Sequence, residues 1–298
     1  MLDAHAPGST IEGFTRGQVF LASTDDFAAA RAVLAGIPFD ATTSFRPGTR
    51  WGPRAIRAVS EVLEEYSPYL QRELGEIPFY DAGDLDLPPG RVEAGLERMA
   101  AAAAALFAAG KKPFFLGGEH LVSYPLIRAA HRYYPELAVL HFDAHADLRE
   151  EYLGERLSHA TVMRLVAEEI GPGRLYQFGI RSGTWGEFAY AQEETNFFMD
   201  TMTSPLAKLV PELGQRPLYV TLDIDVVDPA YAPGTGTPEP GGCQPGEIFK
   251  AIQLLQDANV VAFDLVEVCP AYDRSDITAI LAAKILREAL LAWGGKNI

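Results

Sequence analysis

Cysteine is scarce in this chain: of 298 residues only Cys243 and Cys269 are cysteines, too few for a disulfide framework. A reducing compartment is expected, and with it a cytoplasmic protein. Long apolar runs are missing as well. The longest, residues 99–109, is mostly alanine and far short of the roughly 18 residues that a membrane span needs, so no membrane association is expected. Residues 1–17 are polar and read as an irregular segment without the apolar stretch of a secretory signal. Clustered basic residues are also lacking. With a formal net charge of −15 and no Lys/Arg-rich patch, the chain offers nothing to a phosphate backbone, and no nucleic-acid partner is expected. Such a surface chiefly serves solubility, although it would steer a cationic ligand favourably. No linker-like stretch, charge block or internal repeat divides the sequence, so one domain over residues 1–298 is expected.

What is present is a repeated alternation of apolar runs and helical stretches. Strands are predicted at 32–38, 79–84, 113–116, 137–142, 175–180, 217–226 and 260–267. Helices are predicted from a Gly/Pro-rich turn at 46–54 through about 64, then at 92–109, 123–134, 158–170, 187–194, 245–258 and 275–293. Strands separated by helices predict an α/β fold with a mostly parallel central sheet and helices on both faces. In such sheets ligands bind beyond the carboxyl ends of the strands.

Chemistry-bearing residues gather at those ends. The run at 137–142 ends in Asp143, His145 and Asp147, a spacing of i, i+2 and i+4 that turns all three to one side of an extended segment. The run at 218–222 ends in Asp223 and Asp225, and that at 113–116 is followed by Gly117, Gly118, Glu119 and His120. A lone Asp-x-Asp usually caps a helix or lines a turn. Three polar groups on one face directly after a buried strand are not explained that way. His120, Asp143, His145, Asp147, Asp223 and Asp225 together suit two cations, and an oxygen-rich set with two imidazoles and no thiolate favours Mn²⁺ or a similar hard ion. Metal-assisted hydrolysis is the chemistry such a pair serves.

These segments carry a family resemblance. GGEH at 117–120, HFDAHAD at 141–147, SH at 158–159, DID at 223–225, DPAYAPGTG at 228–236 and DLVEVCP at 264–270 together resemble the ureohydrolase family of arginases and agmatinases. The likeness runs from about Gly36 to the last helix. It is nearest to the bacterial agmatinase branch, as FRPGTRWGP at 45–53 and EYSP at 65–68 also indicate. Glu119 departs from the Asp of many relatives, at a position not expected to be a ligand.

The resemblance implies an arginase-like fold holding two Mn²⁺ per chain. His120 and Asp147 would bind one ion, His145 and Asp225 the other, and Asp143 and Asp223 would bridge them. His159 matches the family's proton-transfer histidine. Asp147 is a further candidate for proton relay, and Glu267 matches the acid that receives the substrate guanidinium. A carboxylate ending an apolar strand also suits a planar cation on chemical grounds. The implied reaction is hydrolysis of agmatine, a small cationic guanidino compound, to putrescine and urea. Guanidinobutyrate, arginine and other guanidino compounds are the alternatives. A metal-binding subunit without catalysis is the alternative of another class, opposed by the completeness of the residue set. The acidic loop with Glu150, Glu151 and Glu155 is expected to disfavour an α-carboxylate, while Arg149 and Arg156 in the same loop weaken that expectation. The family also implies a homo-oligomer, a trimer or hexamer. His141 is expected to be hydrogen-bonded core, and His5, His131, Cys243 and Cys269 carry no expected role.

Overall fold

The structure is a computed structural model that describes residues 11–296. Its strands are β1 (Phe14–Thr15), β2 (Ala32–Ile37), β3 (Tyr66–Ser67), β4 (Arg72–Glu73), β5 (Phe79–Leu85), β6 (Lys112–Gly117), β7 (Ala138–Phe142), β8 (Leu175–Ile180), β9 (Asn196–Met199), β10 (Leu218–Asp223) and β11 (Val260–Val266). Its α-helices are α1 (Gly52–Ser60), α2 (Val92–Ala108), α3 (Ser123–Tyr133), α4 (Val162–Ile170), α5 (Trp185–Glu194), α6 (Thr203–Leu213), α7 (Pro245–Leu254) and α8 (Ile277–Ala289). Nine strands form one sheet in the order β1-β5-β2-β6-β11-β10-β7-β8-β9, and only the β1–β5 pairing is antiparallel. The α/β architecture with a mostly parallel sheet is therefore as expected.

Helices cover both faces, which is why β2, β6, β7, β10 and β11 are buried at every position and are largely apolar rather than alternating. One core packs Leu34, Phe114, Leu140, Val220 and Phe263 under α6, α7 and α8. The other packs Val33, Phe115, Val139, Tyr219 and Ala262 under α2, α3 and α4. The period of two then positions the site. On the second face Val139 is followed by His141 and Asp143, and Tyr219 by Thr221 and Asp223, so an apolar face turns polar at the carboxyl ends of the central strands.

Several elements differ from expectation. β1 lies inside the expected irregular segment, of which residues 1–10, with His5, lie outside the described residues. The ribbon β3–β4, the edge strand β9 and helix α6 were not expected, although α6 carries Leu206, Leu209, Val210 and Leu213 at helical spacing. β9 is only half-buried and α6 carries Pro211 in its interior. The last helix begins at Ile277, because Ser275 and Asp276 hold left-handed backbone conformations, and it continues as a π-helical turn over Leu290–Gly294. Among the described residues no helix is long and apolar enough to cross a membrane.

Candidate metal centre and active site

Asp143 follows β7 and Asp223 ends β10. These strands are neighbours with Phe142 opposite Leu222, so the two carboxylates emerge side by side. Each is held by the same local device. Asp143 Oδ1 accepts the His145 N–H at 2.6 Å, and Asp223 Oδ1 accepts the Asp225 N–H at 2.8 Å. Asp225 Oδ1 takes the Ala144 N–H at 3.2 Å, tying the two turns together. Asp147 sits in a left-handed conformation, φ 52°, as does Glu267, φ 65°. Strain of this kind at a non-glycine residue collects at functional sites.

His120 comes from the turn after β6. Its Nε2 lies 3.0 Å from Thr221 Oγ1, which leaves Nδ1 facing three carboxylate oxygens: Asp143 Oδ2 at 2.9 Å, Asp223 Oδ2 at 3.3 Å and Asp147 Oδ2 at 3.5 Å. Despite that proximity the buried Nδ1 makes no hydrogen bond. A second group forms around His145 Nδ1, with Asp225 Oδ2 at 3.1 Å and Asp143 Oδ1 at 3.6 Å. Asp143 thus turns one oxygen to each histidine.

The donor set fits divalent cations. Asp143, Asp147, Asp223 and Asp225 are all buried, and among the described residues their ion-pair partners are histidines alone. Burial and then the charge of Asp143 push Asp147 well above the usual carboxylate range. Asp223 moves the same way, by burial and then by Asp225. At Asp143 burial is outweighed by His141 and by the His120 imidazole 2.9 Å away, and its carboxyl is held well below that range. Buried carboxyl groups crowded until two are pushed toward their neutral form, around an imidazole nitrogen that makes no hydrogen bond, call for positive charge.

His141 is close enough to count as a ligand with His120 and Asp143, but its hydrogen bonds assign it otherwise. Gln177 Nε2 lies 3.1 Å from His141 Nδ1 and donates to Ala146 O at 2.9 Å, which leaves Nε2–H to donate to Asp143 Oδ2 at 2.8 Å. It orients a ligand, as a hydrogen-bonded buried residue does.

A cavity of about 210 Å³ opens over these groups, lined among others by His120, His145, Asp147, Asp223, His159 and Glu267. Glu267 Oε1 accepts the His120 N–H at 2.8 Å; burial, then the nearby Glu119, push its carboxyl up to about 8. His159 follows Ser158, whose side chain caps the turn before α4, and its Nε2 lies 3.0 Å from Ser44 Oγ. Burial first, then positive charge at His145 and His120, push its imidazole down to about 4. The structure therefore gathers Asp143, His145, Asp147, His120, Asp223, Asp225, His159 and Glu267 at the end of the sheet from which their strands pointed.

The arginase family model matches residues 30–292. The chain belongs to the arginase family. It is 50% identical to the agmatinase of Bacillus anthracis over 280 residues, 93% of this chain and 97% of that one. It is 36% identical to the human mitochondrial guanidino acid hydrolase, over 88% of this chain and 78% of the relative. Among solved structures, the agmatine ureohydrolase of Thermoplasma volcanium superposes with a TM-score of 0.85 at 32% identity, over 93% of this chain and 94% of that one.

Relative to this family site, sequence reasoning missed Ser44, Tyr152, Ser182, Glu187 and Thr237, which also line the cavity. It also misjudged the loop after Asp147. Glu150, Glu151 and Glu155 are exposed and do not line the cavity, and Arg156 pairs with Glu168 away from it. Besides Asp147, Asp223 and Glu267, the acidic group that lines it is Glu187, 4% exposed, which accepts the Leu148 N–H at 3.0 Å and lies 3.6 Å from Arg149. A signal existed. Thr184 and Glu187 form the S/T-x-x-E capping box that starts α5, and that pattern could have marked Glu187 as anchored to the helix start, though not as facing the cavity.

Proposed function

We propose that this chain is a dinuclear-manganese hydrolase that converts agmatine and water to putrescine and urea. The observation that carries the reading is Asp143, with one oxygen toward His120 and the other toward His145, two histidines that line a cavity shared with His159 and Glu267. His120 and Asp147 would hold one Mn²⁺, His145 and Asp225 the other, with Asp143 and Asp223 between them. Two such ions, when bound, lower the pKa of a shared water toward neutrality and polarise an electrophilic carbon.

The chain's own residues supply the rest. Glu267 meets the guanidinium with charge-assisted hydrogen bonds and fixes its plane. Substrate nitrogen departs as an amine only when it carries a proton, and His159 delivers that proton. Burial disfavours a charge on the His159 imidazole, so it acts as a shuttle that takes up a proton during turnover rather than storing one. Asp147, which lines the same cavity, is the relay through which that proton reaches the histidine.

Agmatine is favoured by the agmatinase relatives and by Glu187, an anion suited to the substrate's ammonium. A second reading, a guanidino acid such as guanidinobutyrate, is favoured by the half-buried Arg149 in the cavity wall. Urea release with added Mn²⁺, measured across agmatine, arginine, guanidinobutyrate and formiminoglutamate, decides among them. An unmatched buried charge costs several kcal/mol, so kcat/KM for agmatine should exceed that for arginine by at least roughly 10²-fold. Comparable values would overturn the agmatine assignment, and no urea from any of the four would favour a non-catalytic metal-binding subunit. The protein is further proposed to work in the cytoplasm, in keeping with two free cysteines, and as a trimer or hexamer, which sedimentation velocity would test.

A further inference from the structure

His159 is gripped from outside its own helix, and the grip leads back to Glu119. Glu119, fully buried, directly precedes His120, yet it does not line the cavity. Both its oxygens are occupied by the loop after β2. They accept the Thr42 N–H at 3.0 Å each, Oε1 accepts the Thr42 hydroxyl at 2.7 Å, and Oε2 accepts the Thr43 hydroxyl at 2.9 Å. Having donated its proton to Glu119, the Thr42 hydroxyl has lone pairs left, and one accepts the His159 N–H at 3.1 Å. Two residues further on, Ser44 Oγ reaches His159 Nε2. The same short loop therefore touches the histidine at its backbone and at its ring.

The loop has little freedom to drift. Glu119 N–H donates to Phe39 O at 2.8 Å, and the approach is so close that a Cβ on Gly118 would stand 1.8 Å from that oxygen. One rigid turn after β6 thus presents His120 inward, takes Glu267 through the His120 N–H, and holds the His159 carrier loop through Glu119.

We propose that Glu119 and Thr42 are positioning residues that set the His159 imidazole relative to His120 and Glu267. The inference rests on the reading of His159 as the proton shuttle. A donor displaced by about 1 Å can cost on the order of 10²-fold in rate, so the grip is expected to act on kcat.

Thr42→Val keeps the N–H to Glu119 and the side-chain shape but removes the hydroxyl. Its kcat for urea release should fall about 10- to 100-fold, with KM and bound manganese per chain unchanged, and Thr42→Ser should restore it. In a His159→Asn background the same substitution should cost less than about twofold, because two residues acting as one unit are not additive. In metal-free protein labelled at histidine carbons, Thr42→Val should shift the His159 resonance and leave that of His131 in place. Loss of manganese, unchanged kcat, or an equal loss in both backgrounds would overturn the proposal. Near-normal turnover of His159→Asn would overturn the shuttle reading and this inference with it, whereas normal turnover of Thr42→Val beside an impaired His159→Asn overturns the inference alone. Should Thr42→Val fail to fold, Glu119→Gln, which keeps shape and one acceptor oxygen, is read by the same three measurements.

Discussion

β6 carries buried charge at both ends, and the two ends treat it in opposite ways. At its start, Lys111 donates to the carbonyls of Phe27, Ala28 and Ala30 at 2.7, 3.2 and 2.6 Å, and Lys112 donates to Trp293 O at 3.1 Å. Each ammonium is answered by backbone dipoles from its own chain, as structural burial of a charge requires. Beyond its other end lie four buried carboxylates and two imidazoles, one with a nitrogen that makes no hydrogen bond. The first arrangement finds its partners within the chain, three carbonyls for Lys111 and one for Lys112. The second calls for ions from outside, and that contrast separates a charge that holds a fold from one that does chemistry.

The sharpest way to break the comparison is at the proposed shared ligand. Asp143→Ala should lose both manganese ions and all measurable turnover together, as metal analysis and urea release would record. Two tightly bound ions per chain in that variant would sink the bridging role. His159→Asn separates chemistry from binding: both ions should stay while the rate falls on the order of 10²–10⁴. A rate within a few-fold of the parent, or loss of metal, counts against the shuttle.

Cation binding should also stabilise the fold. At a free Mn²⁺ concentration a thousandfold above Kd, linkage gives roughly 4 kcal/mol, read as a higher Tm than in chelator, and Asp143→Ala should lack the difference. The start of β6 gives the smallest effect. Burial, then Lys296, lower Lys112 from its ordinary 10.5 to about 8. Between those values the unfolded chain binds more protons, so this group makes stability rise with pH across that window; its penalty is full below about 8 and gone above 10.5. Lys112→Met should remove that rise, on the order of 2–3 kcal/mol between pH 7.5 and 10.5 in urea melts. An equal offset at both pH values would show that Lys112 does not titrate in this range.

The two ends also differ in how far the sequence discloses them. Asp143, His145 and Asp147 are legible because a period of two after an apolar run leaves a single plausible side for all three. Asp223 and Asp225 repeat the pattern on the adjacent strand. Glu187 and Arg149 are not legible in the same way, because their place in the cavity depends on how α5 meets the loop after β7, a tertiary contact with no local period. The loop glutamates misled for a related reason: nearness in sequence to Asp147 says nothing of direction once the chain leaves the strand. The Lys112 contact to Trp293 joins residues 181 positions apart, and nothing in either neighbourhood announces it.

The order of strands carries a consequence for how the molecule comes into being. β11, the last strand of the sheet in chain order, lies between β6 and β10, so the middle of the sheet is closed by residues made after all its other strands. Until Val260–Val266 have left the ribosome, β6 and β10 lack the neighbour that both pair with. Domains built on such distant pairings fold late and slowly. Glu267, immediately after that strand, is therefore among the last parts of the cavity to arrive. A nascent chain that stops short of it can carry all six proposed metal ligands and still lack the carboxylate proposed to receive the guanidinium.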